Sequence, residues 1–122
     1  MTRLLLADDS ELIRSRLSNV LRLIPGVEEV GTTDSLDQTL HVVSNSPPDF
    51  VILDLNFSDG RVLDMIWSLK RLAPLMGIVV LSNDASPYVG ERCRKAGATW
   101  FFDKSTELEK VLALVEYFPI QV

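Results

Sequence analysis

The sequence predicts an α/β fold: one doubly wound, five-stranded parallel sheet in the order 2-1-3-4-5, with five helices packed on its two faces. Three observations carry this prediction. Short apolar runs of strand length alternate with segments whose apolar residues recur at helical spacing. The runs are apolar at consecutive positions, as in strands buried on both faces. The alternation continues through five units with no linker or repeat, so residues 1–122 are expected to form a single domain.

The first strand is Leu4 to Ala7, stopped by Asp8 and Asp9. Ile13, Leu17, Val20 and Ile24 follow at helical spacing, and Pro25-Gly26 closes that helix. Val27 to Val30 is a weaker strand; Glu28 and Glu29 within it suit the sheet margin. Leu36, Leu40 and Val43 mark the second helix, which Pro47-Pro48 separates from the third strand, Phe50 to Leu53. Val62, Ile66, Leu69 and Ala73 make the third helix, ended by Pro74, and Ile78 to Leu81 is the fourth strand. A fourth helix runs from Ser86 to Ala96, with Ser86 as cap, Pro87 in the first turn and Gly97 as a left-handed stop. Its thin apolar face predicts mobility. Trp100 to Phe102 is the fifth strand, and Thr106 with Glu109 forms a capping box for the last helix, carried by Leu108, Val111, Leu112 and Val115.

With 47% hydrophobic and 24% charged residues, the chain can bury a core without staples. Its one cysteine, Cys93, cannot form an internal disulfide, which fits a reducing compartment and makes the cytoplasm the expected location. The run Leu4 to Leu6 is too short for a signal peptide core or a membrane span, so no membrane association is expected. A net charge of −5 without a long basic run argues against direct nucleic-acid binding by this domain. Met1 just ahead of the first strand suits a native start, while Tyr117 to Val122 reads equally as a packed end or the opening of a linker.

In a doubly wound sheet, sites gather at the C-terminal ends of the strands. There the sequence sets Asp8 and Asp9 after the first strand, Asp54 at the end of the third, Ser82 after the fourth and Lys104 after the fifth. Three carboxylates in one crevice repel one another unless a cation joins them, and oxygen ligands suit Mg²⁺. Carboxylates, a metal, a lysine and a hydroxyl together make a workable phosphoryl-transfer site, because that chemistry needs charge neutralisation and in-line positioning. Asp54, on the central strand, is the candidate nucleophile; Asp8 and Asp9 would hold the metal, aided by the backbone carbonyl of Asn56. Lys104 would meet the phosphoryl oxygens, and the Ser82 hydroxyl could turn towards them. Taken singly, each residue has a plainer reading: an Asp-Asp helix cap, an Asp in a turn, a surface lysine. Their coincidence at successive strand ends favours the site. His41, beside Leu40, reads as a surface residue, Cys93 as a packed thiol and Trp100 as an aromatic in packing. Arg92, Arg94 and Lys95 read first as a solvated helix face, with a partner contact on the expected signalling surface as the lesser alternative.

The segments LLLADDS, VILDLNFSDG, VVLSND and AGATWFFDKS resemble the four signature segments of response-regulator receiver domains, and the resemblance spans essentially the whole chain. It implies the flavodoxin-like receiver fold, a phosphorylation switch of a two-component system, and Asp54 as phosphoacceptor. It further implies that Asp9 ligates Mg²⁺ directly and Asp8 through water, that Ser82 and Phe101 are a switch pair, and that Asn56 and Asp84 tune dephosphorylation. Its partners would be a histidine kinase or histidine phosphotransfer protein upstream, and a target meeting the face of the fourth helix, fifth strand and fifth helix. No G-x-x-x-x-G-K-[ST] loop is present, so the phosphoryl group must come from outside; the domain is no kinase and would only assist its own phosphorylation and slow dephosphorylation. The chain departs from the family pattern at Ser58, where a proline is usual, and at Val62, where a glycine is frequent. It also has Ser105 after the lysine in place of the frequent proline, and Asn83 where a smaller residue is commoner and where the side chain would narrow access to Asp54. Two other classes fit less well. Haloacid-dehalogenase-like phosphatases place a D-x-D nucleophile after the first strand, and a flavin module needs a phosphate-cradling loop there, where this chain has adjacent carboxylates.

Overall fold

The computed structural model describes residues 2–57, 61–84 and 86–117. Ser58 and the chain end after Tyr117 therefore lie outside the described residues. The strands are β1 (Thr2–Ala7), β2 (Val27–Thr33), β3 (Phe50–Asp54), β4 (Gly77–Ser82) and β5 (Trp100–Asp103). They alternate with α1 (Glu11–Arg22), α2 (Leu36–Asn45), α3 (Val62–Leu72), α4 (Pro87–Ala96) and α5 (Leu108–Tyr117). The sheet is parallel throughout, in the expected order β2-β1-β3-β4-β5.

Period-two alternation along the strands divides the core into two layers. Leu5, Ala7, Val51, Leu53, Ile78 and Val80 point to one face and pack beneath α2, α3 and α4. Leu4, Leu6, Phe50, Ile52, Val79 and Leu81 point to the other, where Leu17 and Leu21 of α1 and Val111 and Val115 of α5 cover them. Phe50 and Trp100 tilt against each other at 5.5 Å between ring centroids. Gly77 is required at that place: a Cβ there would lie 2.6 Å from the Phe50 ring.

Three expectations need correction. Strand β2 runs on to Thr33, since Gly31, Thr32 and Thr33 stay in register with Leu5, Leu6 and Ala7. Thr33 is buried, and its hydroxyl lies 2.7 Å from that of Thr39 in α2, a pairing that an apolar pattern does not register. Helix α1 begins at Glu11, capped by Ser10, and ends at Arg22; Ile24 lies beyond it and Val20 is largely exposed. The turn before α5 is closed by Asp103 and Glu107: the Glu107 carboxylate accepts from Asp103 N–H, and the Asp103 carboxylate accepts from Ser105 N–H and O–H. Glu109, assigned to that cap from the sequence, is exposed.

Helix α4 starts and stops as expected. The Ser86 hydroxyl accepts from Val89 N–H, Pro87 opens the first turn, and Gly97 has φ +124°. Parallel bonding also continues past the strand ends and fixes the chain where the site lies: Asp8 N–H donates to Thr33 O, Leu55 N–H to Leu81 O and Lys104 N–H to Ser82 O. No described helix is long and apolar enough to cross a membrane.

Candidate functional site

Asp8, Asp9, Asp54 and Lys104 meet at the C-terminal edge of the sheet, where the loops after β1, β3 and β5 converge. Asp54 ends β3 with its side chain almost wholly buried. One of its carboxylate oxygens accepts from the N–H of Asn56 at 2.9 Å; the other is 3.2 Å from the Lys104 ammonium. Asp8 is buried as deeply, accepting from Ser10 N–H at 2.9 Å and from Lys104 Nζ at 3.0 Å. Asp9 is exposed at the crevice mouth. Oxygens of the three carboxylates lie within 4.8 Å of one another, a spacing and a hard donor set that could hold a divalent cation.

The electrostatics follow from burial and like charge. Desolvation pushes the Asp54 carboxyl up from the ordinary value of 3.8, with repulsion from Asp8 adding to it, while the Asn56 N–H and Lys104 pull the other way. Burial alone would lower the Lys104 ammonium, but its hydrogen bond to Asp8 and the charge of Asp54 outweigh that and raise it. The ammonium therefore stays charged and spans two buried carboxylates.

Ser82 is fully buried at the end of β4, and its hydroxyl is engaged within its own loop, donating to Asp84 O at 2.9 Å and accepting from Asp84 N–H at 3.0 Å. The Asp84 carboxylate caps Ser86 N–H. Asn56 ties the loops after β3 and β4 together, its side-chain oxygen accepting from Asn83 N–H at 3.3 Å. Phe101 is half-buried on β5, its ring under α4, where a Cβ on Gly90 would come within 3.2 Å of it. The structure thus brings four of the sequence-predicted residues into one cluster, sets Ser82 and Asn56 beside it, and leaves Phe101 against α4. His41 is exposed on α2, and Cys93 is buried, its thiol pushed up by that burial.

Two contributions escaped the sequence reading. The Arg14 guanidinium donates to the Asp8 carbonyl at 2.7 Å and fixes the β1 end from inside α1. Lys104 pairs with two carboxylates at once, whereas the sequence assigned it only to an incoming group. Arg14 carries no local signal, being one arginine among several on a helix.

A model of the response regulator receiver domain matches residues 4–116. The chain belongs to that family. Receiver domains act in two-component signalling, and the neighbours agree. Response regulator GacA of Pseudomonas aeruginosa is 26% identical over 94% of this chain and 54% of its own length. A protein-glutamate methylesterase/protein-glutamine glutaminase of Dechloromonas aromatica is 32% identical over 84% of this chain and 30% of its own. This receiver spans about half or less of such relatives. Among solved structures, a CheY-like response regulator receiver protein from Methanospirillum hungatei superposes with TM-score 0.87 at 18% identity, covering 99% of this chain and 95% of that one. The receiver domain of the putative response regulator NarL from Mycobacterium tuberculosis gives 0.84 at 21% identity, covering 98% and 96%. At those identities the superpositions establish the fold.

Proposed function

We propose that this receiver is a cytoplasmic phosphorylation switch that accepts a phosphoryl group on Asp54 from the phosphohistidine of a histidine kinase or histidine phosphotransfer protein. The observation that carries the reading is the Lys104 ammonium 3.0 and 3.2 Å from Asp8 and Asp54, with Asp9 completing a three-carboxylate cluster. Mg²⁺ would be held by Asp8, Asp9, Asp54 and the backbone carbonyl of Asn56, and would supply charge neutralisation for phosphoryl transfer. An Asp54 oxygen forms the new O–P bond as the P–N bond of the donor breaks, and the bond pair returns to the imidazole nitrogen, which takes up a proton. Lys104 then has an anionic phosphoryl oxygen to pair with in addition to Asp8.

Ser82 and Phe101 supply the response. The Ser82 hydroxyl leaves the Asp84 backbone for the phosphoryl group, loosening the loop before α4, and Phe101 repacks beneath Gly90. The face of α4, β5 and α5 then changes its affinity for a downstream target. Asn56 and Asp84 set how readily water reaches the acyl phosphate, since their hydrogen bonds shape the two loops bordering Asp54. The test is intact mass after incubation with Mg²⁺ and acetyl phosphate. The expected result is a metal-dependent phosphoryl adduct in the parent that Asp54→Asn lacks; an equal adduct in both would place the chemistry elsewhere.

A further inference from the structure

Beside the acidic crevice, a cleft of about 460 Å³ opens between α3 and α4, and the phosphoryl chemistry makes no use of it. Its volume lies within the range of roughly 300–1,000 Å³ typical of sites that enclose a ligand group. Leu55, Val62, Leu63 and Val89 line it with apolar surface, while Arg61 and Arg92, opposed by Asp64, bring charge. Trp67 on α3 and Tyr88 on α4 are 54% and 69% exposed, unusual for large aromatics without a partner. Each carries an arginine stacked on its ring: Arg71 at 4.6 Å from the Trp67 centroid and Arg92 at 5.7 Å from that of Tyr88. Exposed aromatic and arginine side chains held in fixed arrangement are the residue types that dominate binding energy at protein interfaces.

Charge selects the kind of partner. The chain carries a net −5, yet six of its twelve lysines and arginines lie at the start of α3 or on α3 and α4: Arg61, Lys70, Arg71, Arg92, Arg94 and Lys95. Asp64 and Glu91 oppose them within α3 and α4, and Asp59 and Asp84 precede the two helices in the sequence. Asp64 is already paired with Arg61, and Glu91 with Arg94. Among the described residues no carboxylate lies within ion-pairing distance of Arg92.

We propose that the α3–α4 cleft docks an acidic segment of a partner protein, with one bulky apolar side chain entering between the helices and flanking carboxylates meeting Arg92 and competing with Asp64 for Arg61. An apolar wall with Tyr88 at its rim, on an otherwise acidic domain, fits a peptide better than a nucleic acid, whose affinity comes chiefly from neutralising many phosphates. The surface uses the side of α4 turned towards α3, not the side shared with β5 and α5. It rests on no step of the phosphoryl chemistry and is tested on the unphosphorylated chain, so either idea can fail alone.

The probe is a fluorescein-labelled 12-residue peptide of aspartates and glutamates around one central phenylalanine, followed by anisotropy on the whole chain at low salt. Controls are the same peptide with lysines for the acids, and a single-stranded oligonucleotide of equal length. Arg92→Glu and Arg61→Glu are each expected to weaken binding at least tenfold, whereas Arg16→Glu, in the separate groove between α1 and α5, leaves it unchanged. Amide shifts in the parent, which need no variant, should cluster at Leu63, Tyr88 and Arg92. Any of four results would overturn the proposal: no saturable binding up to millimolar peptide, an equal loss in Arg16→Glu, shifts that map to another face, or oligonucleotide binding at the cleft in preference to the peptide.

Discussion

Replacing Asp54 by asparagine should make the metal-free protein more stable at neutral pH. Asp54 is buried at a few per cent exposure with a like charge on Asp8 within 4.8 Å and a second at the mouth on Asp9. At an effective dielectric of about 20, repulsion from Asp8 at that separation is about 3.5 kcal/mol, and exposed, water-screened Asp9 adds about 1 kcal/mol. Attraction to Lys104 at 3.2 Å returns about 5 kcal/mol on the same scale. The pairwise terms nearly cancel, so the desolvation of a buried carboxylate, several kcal/mol, decides the sign. Asparagine removes that cost, keeps an oxygen for the Asn56 N–H, and leaves Lys104 paired with Asp8. With the loss of the Lys104 attraction already balanced by the relief of repulsion, a net gain of about 1–3 kcal/mol is expected.

Urea unfolding followed by tryptophan fluorescence measures this as a higher midpoint at unchanged slope. The pH dependence supplies a second check. Because the Asp54 carboxyl is raised in the folded state, the folded chain binds more protons than the unfolded one between the ordinary value of 3.8 and the raised one. Stability falls as pH rises through that window. The advantage of asparagine should therefore be full above the folded value and fade as pH falls through it. A parent more stable than Asp54→Asn at pH 7 without metal would refute the reasoning.

Lys104→Met should have the opposite effect, leaving two buried carboxylates without their ammonium and costing about 3–5 kcal/mol in chelator-treated protein; saturating Mg²⁺ should recover part of it in the same urea titration. Gly77→Ala forces a methyl to 2.6 Å from Phe50 and 3.0 Å from Trp100, and is expected to lose about 1–3 kcal/mol, whereas Gly31→Ala, whose nearest new contact is 3.4 Å, should stay close to the parent in thermal melts. The Cys93 thiol is buried and raised above its ordinary value, so reaction with a thiol reagent at neutral pH should be slow in native protein and become rapid once urea unfolds it.

Much of this architecture is written in consecutive apolar residues. Phe50 to Leu53 and Ile78 to Leu81 are buried on both faces, as a strand inside a covered parallel sheet requires, and their shortness between turn residues sets them apart from buried helix segments. Asp8, Asp54 and Ser82 were legible because each stands at or next to the end of such a run, where polarity changes abruptly, and Lys104 because it follows the half-buried run Trp100 to Phe102 by two residues. What the sequence hid depends on pairing across long separations. Thr33 and Thr39 look like solvent-facing residues until their hydroxyls meet. Asp103 with Glu107 outcompetes Thr106 with Glu109 because the turn directs the Asp103 carboxylate onto the Ser105 backbone, a choice of one residue that a capping pattern does not resolve. Nor does local sequence tell Arg14, bound to the Asp8 carbonyl, from Arg16, two residues on in the groove between α1 and α5.

The bridging ammonium of Lys104 has a consequence for the charge balance of the folded chain. It works as a counterion tethered to the polypeptide, held over two buried carboxylates by the chain just past β5. The chain itself thus supplies part of the charge compensation that burying Asp8 and Asp54 demands. A divalent ion binding among Asp8, Asp9 and Asp54 would join a charge already present and would not face three uncompensated carboxylates.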